Sequence, residues 1–287
     1  WRDEITLHRK DGSSFDAGMT VSVVERGTSD DDWGIVAIVR DISQEKALND
    51  KKSRFIANAS HELRSPIASL NTPLYMIQRD RDNLDHHLHV LGRIIDRMNR
   101  LVEDLLDLSR FENGVIQLHH RSVILQNLIH EVVETQRPEA ETKSIVLDCR
   151  LPPAPVQIHV DPERITQVIT NLVRNAVIYT QPGGKIEIHT DLDLDDSGRV
   201  RGVRVWVRDN GPGIAADDLP HIFQPFYRAE DRSHGTGLGL SIAREIVQLH
   251  EGTLTVTSEV GSGTVVEIRL PRTPARTGTV TEKEAVR

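Results

Sequence analysis

The sequence predicts a multidomain α+β protein in which a small antiparallel sheet, a helical hairpin and a C-terminal α/β sandwich follow one another. Three patterns indicate this order. Short runs of alternating apolar and polar residues fill positions 1–42, and two stretches with heptad-spaced apolar residues fill positions 44–114. From about Gln117, strand-like runs alternate with amphipathic helical segments. A chain of 287 residues is long enough for two or three such domains.

Composition and charge exclude several classes of protein. Charged residues make up 27% and hydrophobic residues 38% of the chain, and the formal net charge of -8 argues against nonspecific nucleic-acid binding. The single cysteine, Cys149, excludes an internal disulfide framework. The chain has no apolar stretch of about 20 residues and no apolar signal-peptide core. Because it begins at Trp1 inside patterned sequence, we expect a piece of a longer protein, with membrane attachment only through sequence upstream.

The N-terminal part predicts three antiparallel strands. Apolar and polar residues alternate around Ile5–Leu7, Val21–Val23 and Ile35–Val39, and polar turn signals separate these runs. Three strands make a thin core, so we expect more of this domain upstream. The last run exits through Ile38-Val39-Arg40-Asp41-Ile42-Ser43, which resembles the end of PAS sensor domains, and these usually lead directly into a signalling helix. An unrelated β-meander is the alternative.

Two long helices follow, from about Gln44 to Arg79 and from Leu84 to the stop signal Asn113-Gly114. Their apolar residues repeat about every 3.5 positions and form one seam on each helix. The seam residues are Ile56, Leu63, Ile67, Leu70, Leu74 and Ile77, then Leu84, Leu88, Leu91, Ile95, Met98, Val102 and Leu105. The polar stretch between the helices predicts a short loop and an antiparallel hairpin. One hairpin cannot cover two apolar seams, so we expect a homodimer with a four-helix bundle.

The C-terminal part predicts a single sandwich of strands and helices. Its strand-like runs are Ile145–Cys149, Ile186–His189, Val203–Val207, Leu254–Val256 and Val265–Leu270. Its amphipathic helices fall near Gln126–Glu139, Pro162–Tyr179 and Leu240–His250. The sequence beyond Pro271 lacks apolar periodicity, which predicts a disordered tail.

The first long helix carries a candidate nucleophile, His61. It lies two positions before the seam residue Leu63, about 200° around the helix, and therefore points away from the seam. Glu62 can accept the proton of one ring nitrogen, which leaves the other lone pair free to attack a γ-phosphate. Ser65, one turn further on, lies on the same face and could hold a water. The segment Phe55-Ile56-Ala57-Asn58-Ala59-Ser60-His61-Glu62-Leu63-Arg64-Ser65-Pro66 resembles the H-box of sensor histidine kinases almost residue for residue.

Most of the other histidines of the thirteen are expected to be solvated surface residues. They include the cluster His86, His87 and His89 at the hairpin tip and the pair His119-His120, for which we predict no metal site. Only the surrounding sequence distinguishes His61 from them.

An asparagine pair predicts a metal-assisted nucleotide site. Asn171 and Asn175 lie four positions apart on one face of the helix that begins at Pro162. Their neutral amide oxygens can approach Mg²⁺ without adding charge beside a triphosphate. Taken alone, such a pair also fits a role in capping or bridging loops.

The next motif, Asp209-Asn210-Gly211-Pro212-Gly213-Ile214, follows a strand-like run. Asp209 can accept the exocyclic amine of adenine, and Gly211 and Gly213 let the backbone pass close to the base. Taken alone, the motif also fits an ordinary Asp-Asn-Gly turn.

A Gly-rich loop, Gly235-Thr236-Gly237-Leu238-Gly239-Leu240, then opens the last helix. The free N–H groups and positive dipole end of such a helix N-terminus can bind phosphates. A dinucleotide-binding fingerprint would need a preceding strand, but the run Glu230 to His234 is polar. No Gly-Lys-Ser/Thr follows the loop, which excludes a Walker A site.

The order and spacing of these motifs resemble the N, G1, F and G2 boxes of the histidine-kinase ATP domain. The F box corresponds to Ile222-Phe223-Gln224-Pro225-Phe226-Tyr227-Arg228, and Gly261-Ser262-Gly263-Thr264 completes the set. The resemblance covers about residues 50–271 and implies a Bergerat-type α/β sandwich that binds ATP and Mg²⁺, with a mobile lid between the F and G2 boxes. The nucleotide-binding residues it implies are Asn171, Asn175, Tyr179, Asp209, Gly211, Gly213, Arg228, Gly235, Thr236, Gly237, Leu238, Gly239, Leu240 and Thr264, with Asn171 and Asn175 near the metal.

Two positions depart from the family pattern. Ile178 stands where the family often carries a phosphate-binding Lys, so the phosphates are expected to be neutralised by Arg228, Arg174 or Lys185. Ser65 stands where Thr or Asn usually positions water for dephosphorylating the partner, which leaves the strength of a phosphatase activity open.

The resemblance implies a sensor histidine kinase of a two-component system. Such an enzyme transfers the γ-phosphoryl group of ATP to the residue matching His61, with Glu62 as base, and then to an Asp of a separate response regulator. A hydrolytic ATPase of the same superfamily would have a Glu where Asn171 stands, and an amide is not a base. A noncatalytic signalling module would have lost His61, an Asn of the pair or the glycines. Both alternatives are therefore disfavoured.

The implied organisation has four parts. They are the end of a PAS-like domain (1–43), a dimerisation and phosphotransfer hairpin (44–114), an ATP-binding domain (115–271) and a disordered tail (272–287). The resemblance implies a cytoplasmic portion of a protein that is either cytoplasmic or anchored in the inner membrane.

Overall fold

The computed structural model describes residues 2–25, 33–195, 197–198, 200–229 and 235–272 of the chain. The turn expected near 27–32, most of the expected lid and most of the expected tail lie outside the described residues. The chain divides into two compact units, Trp1–Ser65 and Pro66–Arg287.

The described elements are ten strands, five α-helices and one short 3-10 helix. The strands are β1 (Arg2–His8), β2 (Ser14–Glu25), β3 (Trp33–Asp41), β4 (Arg121–Ile124), β5 (Val146–Arg150), β6 (Gln157–Val160), β7 (Lys185–Leu194), β8 (Val200–Asp209), β9 (Thr253–Glu259) and β10 (Gly263–Pro271). The helices are α1 (Ser43–Arg79), α2 (Leu84–Glu112), α3 (Leu125–Thr142), α4 (Pro162–Tyr179) and α5 (Gly239–Leu249).

The first unit contains an antiparallel sheet in the order β1-β2-β3, which confirms the three strands predicted from the alternating pattern. Ala17 on β2 is fully buried, and Ile42 between β3 and α1 is 6% exposed. By contrast, Ile35 and Ile38 on β3 are 74% and 64% exposed, and they point to opposite faces of the sheet. The sheet therefore has the thin core expected of three strands, while its assignment to the PAS family stays a prediction.

The helices α1 and α2 form the predicted helical hairpin and are connected through a short 3-10 helix, Arg81–Asn83. Seam residues of both helices remain exposed in the single chain, among them Ile56 (55%), Ile67 (52%) and Leu88 (49%). Exposed apolar seams are the surface that the expected four-helix bundle would cover. Within the described ranges, no helix has both the length and the apolar character needed to cross a membrane.

The tip of the hairpin is held by hydrogen bonds around Asp80. Its carboxylate accepts a bond from the side-chain amide of Asn83 at 3.0 Å and lies 3.3 Å from Nε2 of His87. These bonds, from Asn83 first and His87 second, lower the pKa of Asp80. The side chain of His87 is only 12% exposed, so the expectation that it is fully solvated is wrong, whereas His86 and His89 are exposed as expected.

The second unit contains the predicted α/β sandwich. Its five-stranded sheet has the order β5-β7-β8-β10-β9, with β5 parallel to β7 and the other neighbours antiparallel. Helices α3, α4 and α5 pack beside one another, and each contacts a strand of this sheet. Ile169 of α4, Ile188 of β7, Ile242 of α5 and Ile268 of β10 are among the fully buried side chains of the core. A separate two-stranded sheet, β4 with β6, was not predicted.

Both ends of α4 are fixed by side chains, which matters because this helix carries the asparagine pair. At the start, the carboxylate of Asp161 accepts the N–H groups of Arg164 at 3.2 Å and His119 at 2.9 Å. At the end, Nζ of Lys143 donates to the carbonyl oxygens of Val177 at 2.8 Å and Ile178 at 3.1 Å. These contacts hold α4, and with it the asparagine pair, in place against its neighbours.

Candidate active site

A cavity of about 110 Å³ lies between α4, the ends of β8 and β10, and the segments that lead into α5. Seven predicted nucleotide-binding residues from separate motifs line it: Asn175, Tyr179, Asp209, Gly213, Arg228, Leu240 and Thr264. The other lining residues are Leu172, Ala176, Val207, Pro212, Ile214, Ile222, Tyr227, Ala229, Val256 and Val266. An engineered apolar cavity of about 150 Å³ holds a benzene ring. This cavity is somewhat smaller, so it can enclose at most part of a nucleotide.

Asp209 places a carboxylate in this mostly apolar cavity, at the end of β8. One of its oxygens, Oδ1, accepts the N–H of Gly211 at 2.8 Å, which closes the turn after the strand. An ionised carboxylate is a hydrogen-bond acceptor only. The carboxylate is thus a hydrogen-bond acceptor beside mostly apolar walls, and its predicted bond to the amine of adenine stays a prediction.

The two glycines after Asp209 are required by close backbone contacts. Gly213 has a φ of 71°, and a Cβ atom there would overlap the carbonyl oxygen of Glu259. A Cβ atom on Gly211 would lie 2.8 Å from Oδ1 of Asp209 and 3.1 Å from the carbonyl oxygen of Tyr179. The sequence predicted that these glycines let the backbone pass close to a ligand. The structure adds that they let the turn pack against α4 and the end of β9.

The Gly-rich loop packs against the end of the F box. The N–H of Phe226 donates to the carbonyl oxygen of Gly237 at 3.0 Å, and a Cβ atom on Gly237 would lie 2.8 Å from the backbone of Phe226. A Cβ atom on Gly235 would lie 3.5 Å from the hydroxyl of Tyr179, which borders the cavity. The side chain of Leu238 is fully buried and anchors the loop. Since α5 begins at Gly239, the loop ends at a helix N-terminus of the kind that binds phosphate.

The two asparagines of α4 have different surroundings. Asn175 lines the cavity, whereas Asn171 is 4% exposed and its Nδ2 donates to the carbonyl oxygen of Gly239 at 3.3 Å. Oδ1 of Asn171 accepts a bond from Nη2 of Arg174 at 3.5 Å. Asn171 therefore connects α4 to the start of α5, directly beneath the Gly-rich loop.

The donor set fits a magnesium ion that arrives with the nucleotide. No group of three or more His, Cys, Asp and Glu side chains that could hold a metal occurs in the part of the chain that the structure describes. Mg²⁺ commonly keeps several waters and is bound by one or two protein groups together with substrate phosphates. Neutral amide oxygens beside the Gly-rich loop suit that arrangement.

The three cations expected near the phosphates are in different places. Arg228 lines the cavity. Nζ of Lys185 pairs with Glu187 at 2.7 Å and with Asp148 at 3.5 Å, and it does not line the cavity. Arg174 lies on another face of α4, in a groove shared with α2. Of these three residues, Arg228 is therefore the one that lies beside the cavity.

The predicted phosphoacceptor, His61, is exposed on α1, and Leu63 two positions later is half-buried, as the helical period predicts. Glu62 is half-buried and Ser65 is exposed. His61 belongs to the first unit and the cavity to the second. The imidazole is accordingly open to a reactant that approaches α1 from outside.

A second histidine cluster lies in the C-terminal unit, with His250 buried, His120 half-buried and His159 exposed. His250 is 2% exposed; its Nε2 accepts the N–H of Asp161 at 3.0 Å, so its Nδ1 carries the proton and donates to the carbonyl oxygen of Ile246 at 2.8 Å. The ring of His120 lies 5.3 Å from that of His250 and 5.6 Å from that of His159. The expectation that His120 is solvated is therefore wrong, because it packs against two other rings. Its polar sequence neighbours gave no sign of this contact.

This cluster predicts a loss of stability in mild acid. Burial lowers the pKa of His250, and protonation would remove the lone pair that accepts the Asp161 N–H. Because the folded pKa lies below the unfolded value of 6.5, His250 stabilises the fold above that pH and the contribution is lost as the pH falls below it. We expect the melting temperature of the second unit to fall between about pH 7.5 and pH 5.5, and less so in His250→Gln. Equal acid sensitivity of the two proteins would contradict the assignment.

Two family models match the chain at the positions of the hairpin and the sandwich. Residues 51–114 match the His Kinase A (phospho-acceptor) domain, and residues 160–274 match the histidine kinase-, DNA gyrase B-, and HSP90-like ATPase. The chain belongs to the sensor histidine kinases.

Individual relatives agree with this family. Sensor protein kinase WalK of Staphylococcus aureus is 30% identical over 246 residues, which are 83% of this chain and 58% of that protein. In WalK of strain JH9 the same match covers 40% of the protein, so the chain spans about half the length of these relatives. The structure of the histidine kinase AdeS of Acinetobacter baumannii has a TM-score of 0.58 and 27% identity, and the match covers 74% of this chain and 98% of that one.

A further solved structure shares the fold at lower identity. Histidine kinase ThkA in complex with the response regulator protein TrrA has a TM-score of 0.58 and 22% identity. The match covers 94% of this chain and 79% of that one. At this identity the likeness supports the fold alone.

Proposed function

We propose that this chain is the catalytic portion of a sensor histidine kinase, which binds Mg²⁺-ATP in the cavity of the second unit and phosphorylates its own His61. The observation that carries the proposal is the convergence of separate sequence motifs on one cavity, with the carboxylate of Asp209 set among apolar walls. Adenine would fill the cavity, and the phosphates would extend over the Gly-rich loop towards the start of α5.

In the proposed reaction, a ring nitrogen of His61 attacks the γ-phosphorus in line with the bond to the bridging oxygen. The N–P bond forms as that P–O bond breaks, and ADP leaves with its electron pair. Glu62 accepts the proton of the other ring nitrogen. Bound Mg²⁺ would offset the negative charge of the phosphates. Asn175, which lines the cavity, and Asn171, beneath the Gly-rich loop, would supply amide oxygens on that side, and Arg228 would bind the phosphates.

The phosphoryl group would then pass to an aspartate of a response regulator. Ser65, exposed one turn beyond His61, matches the family position that orients water for hydrolysing the phosphoryl group on the partner. The exposed seams of α1 and α2 support a homodimer through a four-helix bundle. We retain the domain boundaries 1–43, 44–114 and 115–271 as part of this proposal, and we expect the catalytic portion to act in the cytoplasm, where ATP is available.

A hydrolytic ATPase is the second candidate, because the family model of the sandwich also includes gyrase- and HSP90-like enzymes. Direct hydrolysis needs a base that activates water. Asn171 has an amide in place of a carboxylate, and its Nδ2 is bonded to the carbonyl oxygen of Gly239. The side chains at this position therefore favour transfer to an external acceptor.

The proposal is tested by incubating the full chain with Mg²⁺ and ATP that carries a radiolabel on its γ-phosphate. We expect the protein to become labelled, and the label to be lost in acid and retained in base, because a phosphorus–nitrogen bond has this stability. Rapid release of labelled phosphate without labelled protein would favour the hydrolytic ATPase. An acid-stable label would point to a hydroxyl acceptor and contradict the histidine mechanism.

A further inference from the structure

The C-terminal half of α2 buries two carboxylates, those of Asp104 and Asp107, beside apolar side chains. Leu101 and Leu108 are 2% and 5% exposed, and Asp104, on the same face between them, is 7% exposed. Oγ1 of Thr236, in the Gly-rich loop, donates to Oδ2 of Asp104 at 3.3 Å. Burial raises the pKa of Asp104 to about 6, against the opposing effect of Arg174. Burying an ionised carboxylate costs free energy unless it is paired. We therefore ask what function the contact between Asp104 and the Gly-rich loop serves.

Arg174, which is half-buried, is the matching cation on α4. Its Nη2 donates to Asn171, but its Nε is buried without a hydrogen-bond partner. Burial lowers the pKa of this guanidinium, and the charge of Asp104 is the main effect that raises it. The guanidinium of Arg174 therefore still has a hydrogen-bond donor to offer, next to Asn171 and Asn175.

A firm anchor holds α2 at this position. Oδ2 of Asp107 accepts bonds from Nη1 of Arg164 and Nε2 of Gln167, both at 2.7 Å. A groove of about 620 Å³ lies between α2 and α4, and its lining includes Asp104, Asn171 and Arg174. Asp104 and Arg174 therefore border the same space, next to the loop that the proposed function assigns to the phosphates.

We propose that Asp104 is an intramolecular competitor of the nucleotide phosphates, which holds Thr236 in the nucleotide-free chain and is displaced from this loop and from Arg174 when a triphosphate binds. This inference rests on the proposed function, because it takes the Gly-rich loop as the phosphate site. A buried carboxylate and a triphosphate repel each other, so both cannot occupy the loop without cost. Coupling of this kind is reciprocal: docked α2 weakens ATP binding, and bound ATP weakens the docking of α2 by the same factor.

The test compares ATP with adenosine, which lacks the phosphates. Binding of each is measured by calorimetry on the full chain at about pH 8, where Asp104 is charged. We expect Asp104→Asn to bind Mg²⁺-ATP at least about fivefold more tightly than the wild type and to bind adenosine with unchanged affinity. Arg174→Gln should bind ATP more weakly and adenosine equally well. Glu103→Gln, the same charge change at an exposed neighbour, is the matched control and should resemble the wild type for both ligands.

The outcomes separate this inference from the proposed function. ATP affinity in Asp104→Asn that is equal to or weaker than that of the wild type would overturn the competition, as would equal changes for ATP and adenosine, since those indicate a structural effect on the cavity. Wild-type ATP affinity in Arg174→Gln would overturn the part assigned to Arg174. A wild-type chain that binds neither ligand would instead remove the nucleotide site, and the proposed function with it.

Discussion

His61→Gln is expected to abolish the acid-labile label while ATP binding stays at the wild-type level. The amide nitrogen of Gln has no available lone pair, so it cannot form the N–P bond that the ring nitrogen of His61 forms. The change should not disturb the fold, because His61 is exposed on α1 and Gln is a good helix former. Surface substitutions of this kind usually change stability by less than about 0.5 kcal/mol. Loss of label can then be read as loss of the acceptor.

The matched control is His89→Gln, which makes the same substitution at an exposed helical position on α2. We expect this variant to be labelled like the wild type. Label that persists in His61→Gln, or that disappears equally in both variants, would contradict the assignment of His61. Binding of ATP and the melting temperature are measured in parallel, so that a folding defect cannot be mistaken for a missing nucleophile.

Local periodicity predicted the helices of this chain closely. The predicted range of α4 is identical to the observed one, and α1 begins one residue earlier than predicted, at Ser43. These boundaries depend on capping residues and apolar spacing that lie within the helix itself. The strands β4 and β6 were missed because each has four residues and they pair with each other across the whole of α3 and β5. Such pairing depends on contacts distant in sequence.

The sequence motifs predicted only part of the lining of the candidate site. Seven predicted residues line the cavity, but Asn171 does not, although it lies four positions from Asn175. Four residues turn an α-helix by about 400°, which leaves the two side chains about 40° apart. That difference is enough to turn Asn171 towards Gly239 and the groove beside α2. A shared helix face is therefore only an approximate guide to a shared ligand.

Contacts between distant elements could not be read from the sequence. The bond between Asp104 and Thr236 joins residues 132 positions apart, and the bond between His250 and the Asp161 N–H joins residues 89 positions apart. Neither residue stood out, since Asp104 reads as one polar position in an amphipathic helix and His250 as the last residue of another. Both depend on tertiary packing, which also produces their raised and lowered pKa values.

Gly213→Ala is expected to lower both the stability of the second unit and its affinity for ATP. The new Cβ atom would overlap the carbonyl oxygen of Glu259 and lie 3.0 Å from Cα of Val260. These are backbone atoms, so rotation of a side chain cannot relieve the clash, and the turn after β8 must move away from the end of β9. Left-handed strain adds about 1–2 kcal/mol, and overpacking typically adds about 1–3 kcal/mol. Because Gly213 lines the cavity, we expect ATP to bind at least about tenfold more weakly, which corresponds to about 1.4 kcal/mol.

Gly261→Ala separates the clash from the strain. Gly261 lies in the facing turn, its N–H donates to the carbonyl oxygen of Pro212 at 2.9 Å, and its φ of 82° is as left-handed as that of Gly213. A Cβ atom on Gly261 would meet nothing within 4 Å. This variant should therefore lose only the strain of about 1–2 kcal/mol in denaturant unfolding and should bind ATP like the wild type. If the two variants are destabilised equally, Gly213 is needed for its backbone conformation and not for close packing, and the predicted displacement of the turn after β8 is wrong.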